Sequence, residues 1–384
     1  MSESSVRERY AVGAQQKEPA LCCPVDYDQR YLEIIPDEVI ERDYGCGDPS
    51  KYVSEGETVL DLGSGTGKIC FIASQVVGKS GKVIGVDMTD PMLEVANRNA
   101  PIVAERIGYA NVEFRKGRIQ DLALDLEKLE TWLKQQPVED ANGFLALEEK
   151  AQQLREAESL IESDSIDVVV SNCVLNLVGN DARKQLFSEI YRVLKTGGRA
   201  VISDIVSDED VPVGMQQDPE LWSGCISGAF REDAFLQAFE DAGFHGVEIL
   251  KLDKQPWQTV EGIEFRSMTV CAYKGDDGPC VEKNQAVIYK GPFKAVVNDD
   301  GHPMERGKRY AVCEKTYELL KRPPYCQMFE FVDPHSEVTS DAKLFDCSTI
   351  RIREPGETKG SEYSTTIQIG ASSCCSPESS GGCC

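Results

Sequence analysis

Three cysteines stand at positions where a parallel α/β sheet would bring them together. Cys70 opens a helix behind a glycine-rich loop, Cys173 follows the apolar run Val-Val-Val-Ser-Asn, and Cys225 lies in the loop Leu-Trp-Ser-Gly-Cys. Because the carboxyl ends of parallel strands meet at one edge of a sheet, we expect the three thiols to converge there. Thiolates are soft ligands and prefer soft metals and metalloids, so this pattern predicts a site for a thiophilic acceptor.

Each of these thiols also has a simpler interpretation as a small buried side chain. Cys70 stands in the first turns of its helix, where the positive helix end favours a thiolate. A fourth cysteine, Cys46, lies in the glycine-flanked turn Tyr-Gly-Cys-Gly before the first predicted strand. We expect Cys46 to be exposed and mobile, and able to pair with one of the other three.

The glycine-rich loop Asp61-Leu-Gly-Ser-Gly-Thr-Gly67 joins a predicted strand to a predicted helix. Its glycines at 63, 65 and 67 allow a tight turn and the close approach of a cofactor. Asp87 ends the next strand, where a carboxylate can bind both hydroxyls of a ribose. A dinucleotide-binding loop would have its third glycine one position later. The pattern found here resembles class I methyltransferases that bind S-adenosylmethionine.

Apolar runs alternate with helical periodicity from Thr58 to Tyr273 and predict seven strands. The fold class is therefore α/β, with a mostly parallel, Rossmann-like methyltransferase sheet covered by helices on both faces. A small mixed α+β domain is expected to follow it. The predicted organisation is an N-terminal extension at 1–42, the methyltransferase domain at 43–275 with two amphipathic helices inserted at 121–165, the C-terminal domain at 276–355, and a disordered tail at 356–384 that contains Cys374, Cys375, Cys383 and Cys384.

Composition restricts the partners. The 384 residues carry a formal net charge of −24, which argues against nucleic acid and against an anionic membrane. The N-terminus lacks the apolar segment of a signal peptide, so we expect a cytoplasmic protein with reduced thiols. Fifteen cysteines without a single C-x-x-C pair then indicate metal or redox chemistry more than a zinc ribbon.

Residues from about 43 to 347 resemble the arsenite S-adenosylmethionine methyltransferase family. The motifs that carry the resemblance are Tyr44-Gly-Cys-Gly47, the glycine-rich loop with Cys70, Gly85-Val-Asp-Met-Thr89, Ser171-Asn-Cys-Val-Leu-Asn-Leu-Val178, Trp222-Ser-Gly-Cys-Ile-Ser-Gly-Ala229 and Leu344-Phe-Asp-Cys347. The resemblance implies that Cys46, Cys70, Cys173 and Cys225 are the catalytic thiols and that Cys70, Cys173 and Cys225 bind arsenic(III). The cofactor residues expected for S-adenosylmethionine are Asp61, Gly63, Gly65, Gly67, Asp87, Met88 and Ile119.

The family also implies arsenite and methylarsenite as substrates and thioredoxin or glutathione as the reductant. A Cys46–Cys70 disulfide would be the oxidised form. Trivalent arsenic has a lone pair that can accept a methyl group without loss of a proton, and none of the three histidines lies in these motifs. Two alternatives stay open at this point: a class I methyltransferase for another small acceptor, and a thiol-rich protein that sequesters metals or metalloids.

Overall fold

The predicted alternation of strands and helices builds the first of two units. The computed structural model describes residues 3–16, 18, 25–276, 278–336, 338, 342–360 and 363, and the units are 1–276 and 277–384. In the first unit the strands are β1 (Thr58–Leu62), β2 (Lys82–Asp87), β3 (Val112–Lys116), β4 (Ile166–Asn172), β5 (Leu194–Ser207), β6 (Phe230–Arg231), β7 (Phe244–Leu252), β8 (Gln258–Val260) and β9 (Ile263–Lys274). Its helices are α1 (Glu3–Gly13), α2 (Gln29–Leu32), α3 (Asp37–Glu41), α4 (Lys68–Val77), α5 (Asp90–Ile107), α6 (Leu126–Gln135), α7 (Ala141–Ala157), α8 (Arg183–Val193), α9 (Val213–Gln216), α10 (Pro219–Ser223) and α11 (Glu232–Asp241).

The central sheet confirms the predicted fold class. Its main path runs β3-β2-β1-β4-β5-β9-β7, with β6 beside β5 and β8 beside β9. The pairs from β3 through β5 are parallel, and β9 is antiparallel to both of its neighbours. The chain therefore reverses its strand order between β1 and β4, and ligands of open α/β sheets bind at such a point.

Alternation along the strands separates two apolar cores. Leu60 and Leu62 of β1 pack on the face covered by α8 and α11, whereas Val59 packs on the face covered by α4 and α5. Since side chains alternate along a strand, Asp61 points to the same face as Val59. That face also contains Cys70 of α4, and this arrangement sets the surroundings of its thiol.

The inserted segment between β3 and β4 contains the helices α6 and α7. Leu126 and Leu129 pack with the buried Leu154 in a small cluster of their own. Phe144 and Leu145 of α7 are exposed. None of the helices in the described ranges is long and apolar enough to cross a membrane.

The second unit is a small mixed α+β structure. Its elements are β10 (Ala286–Tyr289), β11 (Ala295–Val297), β12 (Pro303–Glu305), β13 (Arg309–Ala311), α12 (Glu314–Leu320), β14 (Phe329–Val332) and α13 (Pro355–Lys359). Three strands form an antiparallel sheet in the order β13-β10-β14, and β11 pairs with β12.

The start of the predicted tail needs a correction, because residues 355–359 are helical. A capping box joins Glu354 to Glu357, and the fully buried Arg353 forms ion pairs with Glu282 at 2.6 Å and with Glu357 at 3.4 Å. These contacts order a segment whose composition alone suggested a tail. The rest of the predicted tail, including its four cysteines, lies outside the described residues except for Gly360 and Tyr363.

Candidate active site

A pocket opens at the carboxyl ends of β1, β2 and β4. Six of the seven predicted cofactor residues line it, and so does one of the predicted thiols; the lining residues among these are Asp61, Gly63, Gly65, Asp87, Met88, Ile119 and Cys173. The remaining cofactor residue, Gly67, does not line the pocket. The sequence therefore predicted the position of the pocket and seven of its 24 lining residues.

The three loop glycines have different roles. All three have positive φ angles, of 68° at Gly63, 52° at Gly65 and 92° at Gly67. A Cβ atom at Gly65 would have no atom within 4 Å, so a ligand can approach the backbone there. A Cβ at Gly67 would lie 2.7 Å from the ring of Phe114 instead. Gly67 thus permits the packing behind the loop, and its contact with the cofactor stays a prediction.

Asp87 holds the backbone of the glycine-rich loop and of the turn after β2 in place. Its carboxylate accepts hydrogen bonds from the backbone N–H of Gly65 at 2.9 Å and of Thr89 at 2.8 Å. Burial raises the pKa of Asp87, and these hydrogen bonds oppose the rise. The hydroxyl of Ser64 in the same loop is buried and has no hydrogen-bond partner in the described chain. Such an atom is normally satisfied, so the loop offers an unused polar group to a ligand.

Cys46, Cys173 and Cys225 form one buried cluster, defined here as the pocket thiols. The thiols of Cys46 and Cys173 and the carboxylate of Asp204 lie within 4.8 Å of one another. The Cys225 thiol donates a hydrogen bond to the carbonyl oxygen of Cys173 at 3.2 Å. Contacts with Cys225 and Cys46 raise the pKa of Cys173 well above its usual range, and burial adds to the rise. Burial also raises the pKa of Cys46, so the thiol form is favoured at both Cys46 and Cys173.

Cys70 lies elsewhere, beneath the glycine-rich loop. It is fully buried, and its thiol donates a hydrogen bond to Asp61 at 3.2 Å. Burial, with the nearby charges of Asp43 and Asp87, raises the pKa of Asp61 to about 8. The structure thus brings Cys173 and Cys225 together with Cys46, whereas the sequence predicted Cys70 as their companion.

The backbone at two of the pocket thiols is strained. Cys173 has a φ of 64° and Cys225 a φ of 61°, a region that non-glycine residues seldom occupy. The N–H of Cys173 donates to the carbonyl oxygen of Ser203 at 2.8 Å. Asp204 accepts the N–H of Leu175 at 2.9 Å and so fixes the turn after Cys173. Strain of this kind persists where the surrounding structure determines the conformation, and it concentrates at functional sites.

Asn172 fixes Cys46 beside Cys173. Its side-chain oxygen accepts the N–H of Cys46 at 2.9 Å and of Gly47 at 3.0 Å, and its amide nitrogen donates to the Gly47 carbonyl oxygen at 2.8 Å. A Cβ at Gly45 would lie 2.1 Å from the Asn172 side chain. Cys46 is only 2% exposed. The expected mobile, exposed turn is therefore a tightly packed loop, because its glycines allow close contact with Asn172.

Helix α1, near the N-terminus of the chain, forms part of the pocket wall. Val6 and Tyr10 line the pocket, and the Tyr10 hydroxyl lies 3.9 Å from the Cys225 thiol. Arg9 donates hydrogen bonds to the Glu220 carbonyl oxygen and to the Ser223 hydroxyl, both at 2.8 Å. These contacts join α1 to α10, the helix that precedes Cys225.

Comparisons with known proteins agree with this geometry. A profile for a methyltransferase domain matches residues 53–243, and one for a domain of unknown function (DUF8838) matches residues 276–363. An arsenite methyltransferase from Aquipseudomonas alcaligenes is 33% identical over 317 residues, which are 79% of this chain and 81% of that protein. The chain belongs to the arsenite methyltransferase family. The mouse arsenite methyltransferase is 29% identical over 93% of this chain and 87% of its own length.

A solved structure supports the family assignment. The arsenic(III) S-adenosylmethionine methyltransferase from Chlamydomonas reinhardtii superposes with a TM-score of 0.55 and 27% identity, covering 84% of this chain and all of that one. Among the residues of this arsenite methyltransferase family member, sequence reasoning missed Asn172, Asp204 and Tyr10. Asn172 ends β4 and Asp204 lies within β5. The signal available for both was a polar residue near the carboxyl end of a predicted strand. Tyr10 had none, because its contact depends on the folded path of α1.

Proposed function

We propose that this chain transfers methyl groups from S-adenosylmethionine to trivalent arsenic bound by its cysteines, giving methylated arsenicals. One observation carries the proposal: Cys173 lines the same pocket as Gly65 and Asp87, and its thiol contacts those of Cys46 and Cys225. A thiophilic acceptor bound there lies next to the space that a cofactor would occupy. Family membership gives the same answer independently.

The residues present fit S-adenosylmethionine. The backbone at Gly65 is open to a ligand, Ser64 has an unpaired buried hydroxyl within the described chain, and Asp87 borders the pocket as a carboxylate acceptor. Met88 and Ile119 supply apolar wall. When bound, S-adenosylmethionine supplies an electrophilic methyl group to the arsenic lone pair. The protein's own task is to bind and orient the acceptor, since no general base is needed.

Cys173 and Cys225 bind arsenic in every methylation step, because methylarsenite has only two exchangeable positions. Arsenite has three, and we assign Cys70 as its third thiol, as the family resemblance implies. For that, Cys70 must give up its hydrogen bond to Asp61. Cys46 occupies the place beside Cys173 in the structure, which makes it the competing third ligand.

Cys46 and Cys70 also serve the redox step in this proposal. Each methyl transfer leaves arsenic formally pentavalent, so two electrons must return it to the trivalent state. Oxidation of two thiols to a disulfide supplies those two electrons and releases two protons. Thioredoxin or glutathione then reduces the Cys46–Cys70 disulfide by thiol–disulfide exchange.

The test is an incubation of the full chain with arsenite, S-adenosylmethionine and glutathione, followed by arsenic speciation. We expect methylated arsenicals, with one S-adenosylhomocysteine formed for each methyl group found on arsenic. The matched control is Cys326→Ser, a substitution in the second unit, and this variant should retain activity. S-adenosylhomocysteine formed only with another acceptor would assign a different methyltransferase, and arsenite binding without any methyl transfer would assign a sequestering protein.

A further inference from the structure

A second group of three thiols lies in the C-terminal unit, which the methyl-transfer chemistry does not use. The sulfur atoms of Cys280, Cys313 and Cys347 are all within 4.8 Å of one another. These three residues are defined here as the C-terminal thiols. They come from three separate stretches of chain, so their convergence results from the fold of this unit.

Backbone hydrogen bonds place two of them together. The carbonyl oxygen of Cys280 accepts the N–H of Phe345 at 2.9 Å. Val281 and Leu344 form an antiparallel bridge beside this bond. Cys280 and Cys347 are thus on adjacent segments of the chain that are paired at Val281 and Leu344.

The third thiol approaches from the start of α12. The N–H of Glu314 donates to the carbonyl oxygen of Val281 at 2.9 Å, which attaches the chain at Cys313 to the same paired segment. The Cys313 sulfur accepts the N–H of Thr316 at 3.4 Å. Cys313 is 1% exposed, so it forms the floor of the group.

The C-terminal thiols are open to solvent on one side. Cys280 and Cys347 are partly exposed, in contrast to Cys313. Burial raises the pKa of Cys347, and contacts with the Cys280 and Cys313 thiols raise it further. An ion arriving from solvent can therefore reach two thiols first and the buried third thiol afterwards.

We propose that Cys280, Cys313 and Cys347 bind one trivalent arsenical as a second arsenic site of this chain. Three arsenic–oxygen bonds of arsenite are exchanged for three arsenic–sulfur bonds. Each thiol gives its proton to a departing oxygen, so three waters leave and no oxidant or reductant is required. The site does not rest on the proposed methyl transfer, because binding needs no cofactor.

The number of ligands favours a three-coordinate ion over zinc. Structural zinc sites have four protein ligands in a tetrahedron. In the described chain this group has three members, and His302, which lines the neighbouring cavity with Cys313 and Cys347, is not one of them. A pyramidal arsenic(III) centre uses three sulfur ligands and leaves its lone pair free.

The first test measures bound arsenic per chain after incubation of the full protein with sodium arsenite and a phosphine reductant, without S-adenosylmethionine. Cys280→Ser and Cys347→Ser should each lower the bound arsenic by one equivalent relative to wild type. Cys326→Ser is the matched control, a partly exposed cysteine of the same unit outside the group, and should bind as wild type does. Wild-type stoichiometry in both cluster variants would overturn the proposal.

A second measurement needs no variant and so does not depend on how serine is tolerated. Arsenite should protect Cys280 and Cys347 of the wild-type chain from alkylation by iodoacetamide, read by peptide mass spectrometry, while Cys326 is still alkylated. Equal alkylation with and without arsenite would overturn the site. In a parallel sample that also contains zinc chloride, the chain should bind as much arsenic as it does without zinc. If zinc prevents arsenite from binding at these cysteines, the group is a zinc site instead. Methylated product is not measured here, so failure of methyl transfer cannot be mistaken for failure of this site.

Discussion

The pocket thiols and the C-terminal thiols offer the same ligand atoms in different settings. Cys173 and Cys225 have strained backbones, are almost fully buried and adjoin the cofactor pocket. The C-terminal thiols have no positive φ among them, and two are partly exposed. The difference separates two requirements of the proposals above: binding of arsenic, for which converging thiols are enough, and turnover, which also needs thiols fixed in one orientation beside a methyl donor.

The largest effect expected from this contrast is at the pocket. Cys173→Ser or Cys225→Ser should lower methylation of both arsenite and methylarsenite by more than ~100-fold, because the acceptor is no longer positioned. Cys271→Ser, a buried cysteine outside both groups, is the control and should retain activity. Arsenic speciation for each variant measures this. Wild-type rates on methylarsenite for Cys173→Ser would contradict the assignment.

The next effect separates the two candidates for the third thiol. Cys70→Ser should abolish methylation of arsenite but retain a single turnover of methylarsenite, since that substrate needs two thiols. Cys46→Ser should retain a single turnover with both substrates and stop repeated turnover. The measurement is product per chain, with S-adenosylmethionine limiting and then in excess. The reverse pattern would make Cys46 the ligand, in line with its place beside Cys173 in the structure.

A smaller effect is expected at the residues that line the cofactor pocket. The C-terminal thiols have no such pocket assigned to them. Asp87→Ala should weaken S-adenosylmethionine binding by about 1–3 kcal/mol, the scale of a lost charge-assisted hydrogen bond. The nearby Asp90, whose side chain is largely exposed, supplies the control variant Asp90→Ala. Calorimetry gives both affinities. An affinity of Asp87→Ala equal to that of wild type would remove Asp87 from the cofactor site.

The last effect concerns the pH dependence of stability, through the buried Asp61 of the pocket wall. The pKa of Asp61 is raised from 3.8 to about 8, chiefly by burial. Between those values the unfolded chain has lost this proton and the folded chain retains it, so the contribution to stability is full below pH 4 and is lost as pH rises through 8. One proton accounts for at most about 1.4 kcal/mol per pH unit.

Asp61→Asn should therefore lessen the fall in unfolding free energy between pH 5 and 8. Urea unfolding of the ligand-free protein at several pH values measures it, with Asp90→Asn as the surface control. An unchanged slope in Asp61→Asn would show that the carboxyl is ionised in the folded state.

The sequence predicted the sheet, the pocket and the meeting of Cys173 with Cys225, because these depend on strand ends that share one edge. The place of Cys46 could not be predicted. It depends on the hydrogen bond that the Cys46 N–H donates to the side-chain oxygen of Asn172, 126 positions later in the chain. The positive φ angles of Cys173 and Cys225 could not be predicted either, because cysteine seldom adopts a positive φ.

Helix α1 was missed for a related reason. Its residues show no clear apolar periodicity, and tertiary contacts such as those of Arg9 with α10 accompany its folded position. The convergence of the C-terminal thiols had no sequence signal either, since Cys280, Cys313 and Cys347 are far apart in the chain. Only the pairing of the segments at Val281 and Leu344 brings two of them into contact.

A single-turnover reaction tests the central claim most directly. The full chain is incubated with arsenite in excess over both proposed arsenic sites, given one equivalent of S-adenosylmethionine with a labelled methyl group, and denatured for speciation of the released arsenic. We predict labelled methylarsenic from the wild-type chain and from Cys326→Ser, and none from a Cys173→Ser/Cys225→Ser double variant. Labelled methylarsenic from the double variant at the wild-type level, or its absence from the wild-type chain, would contradict the account.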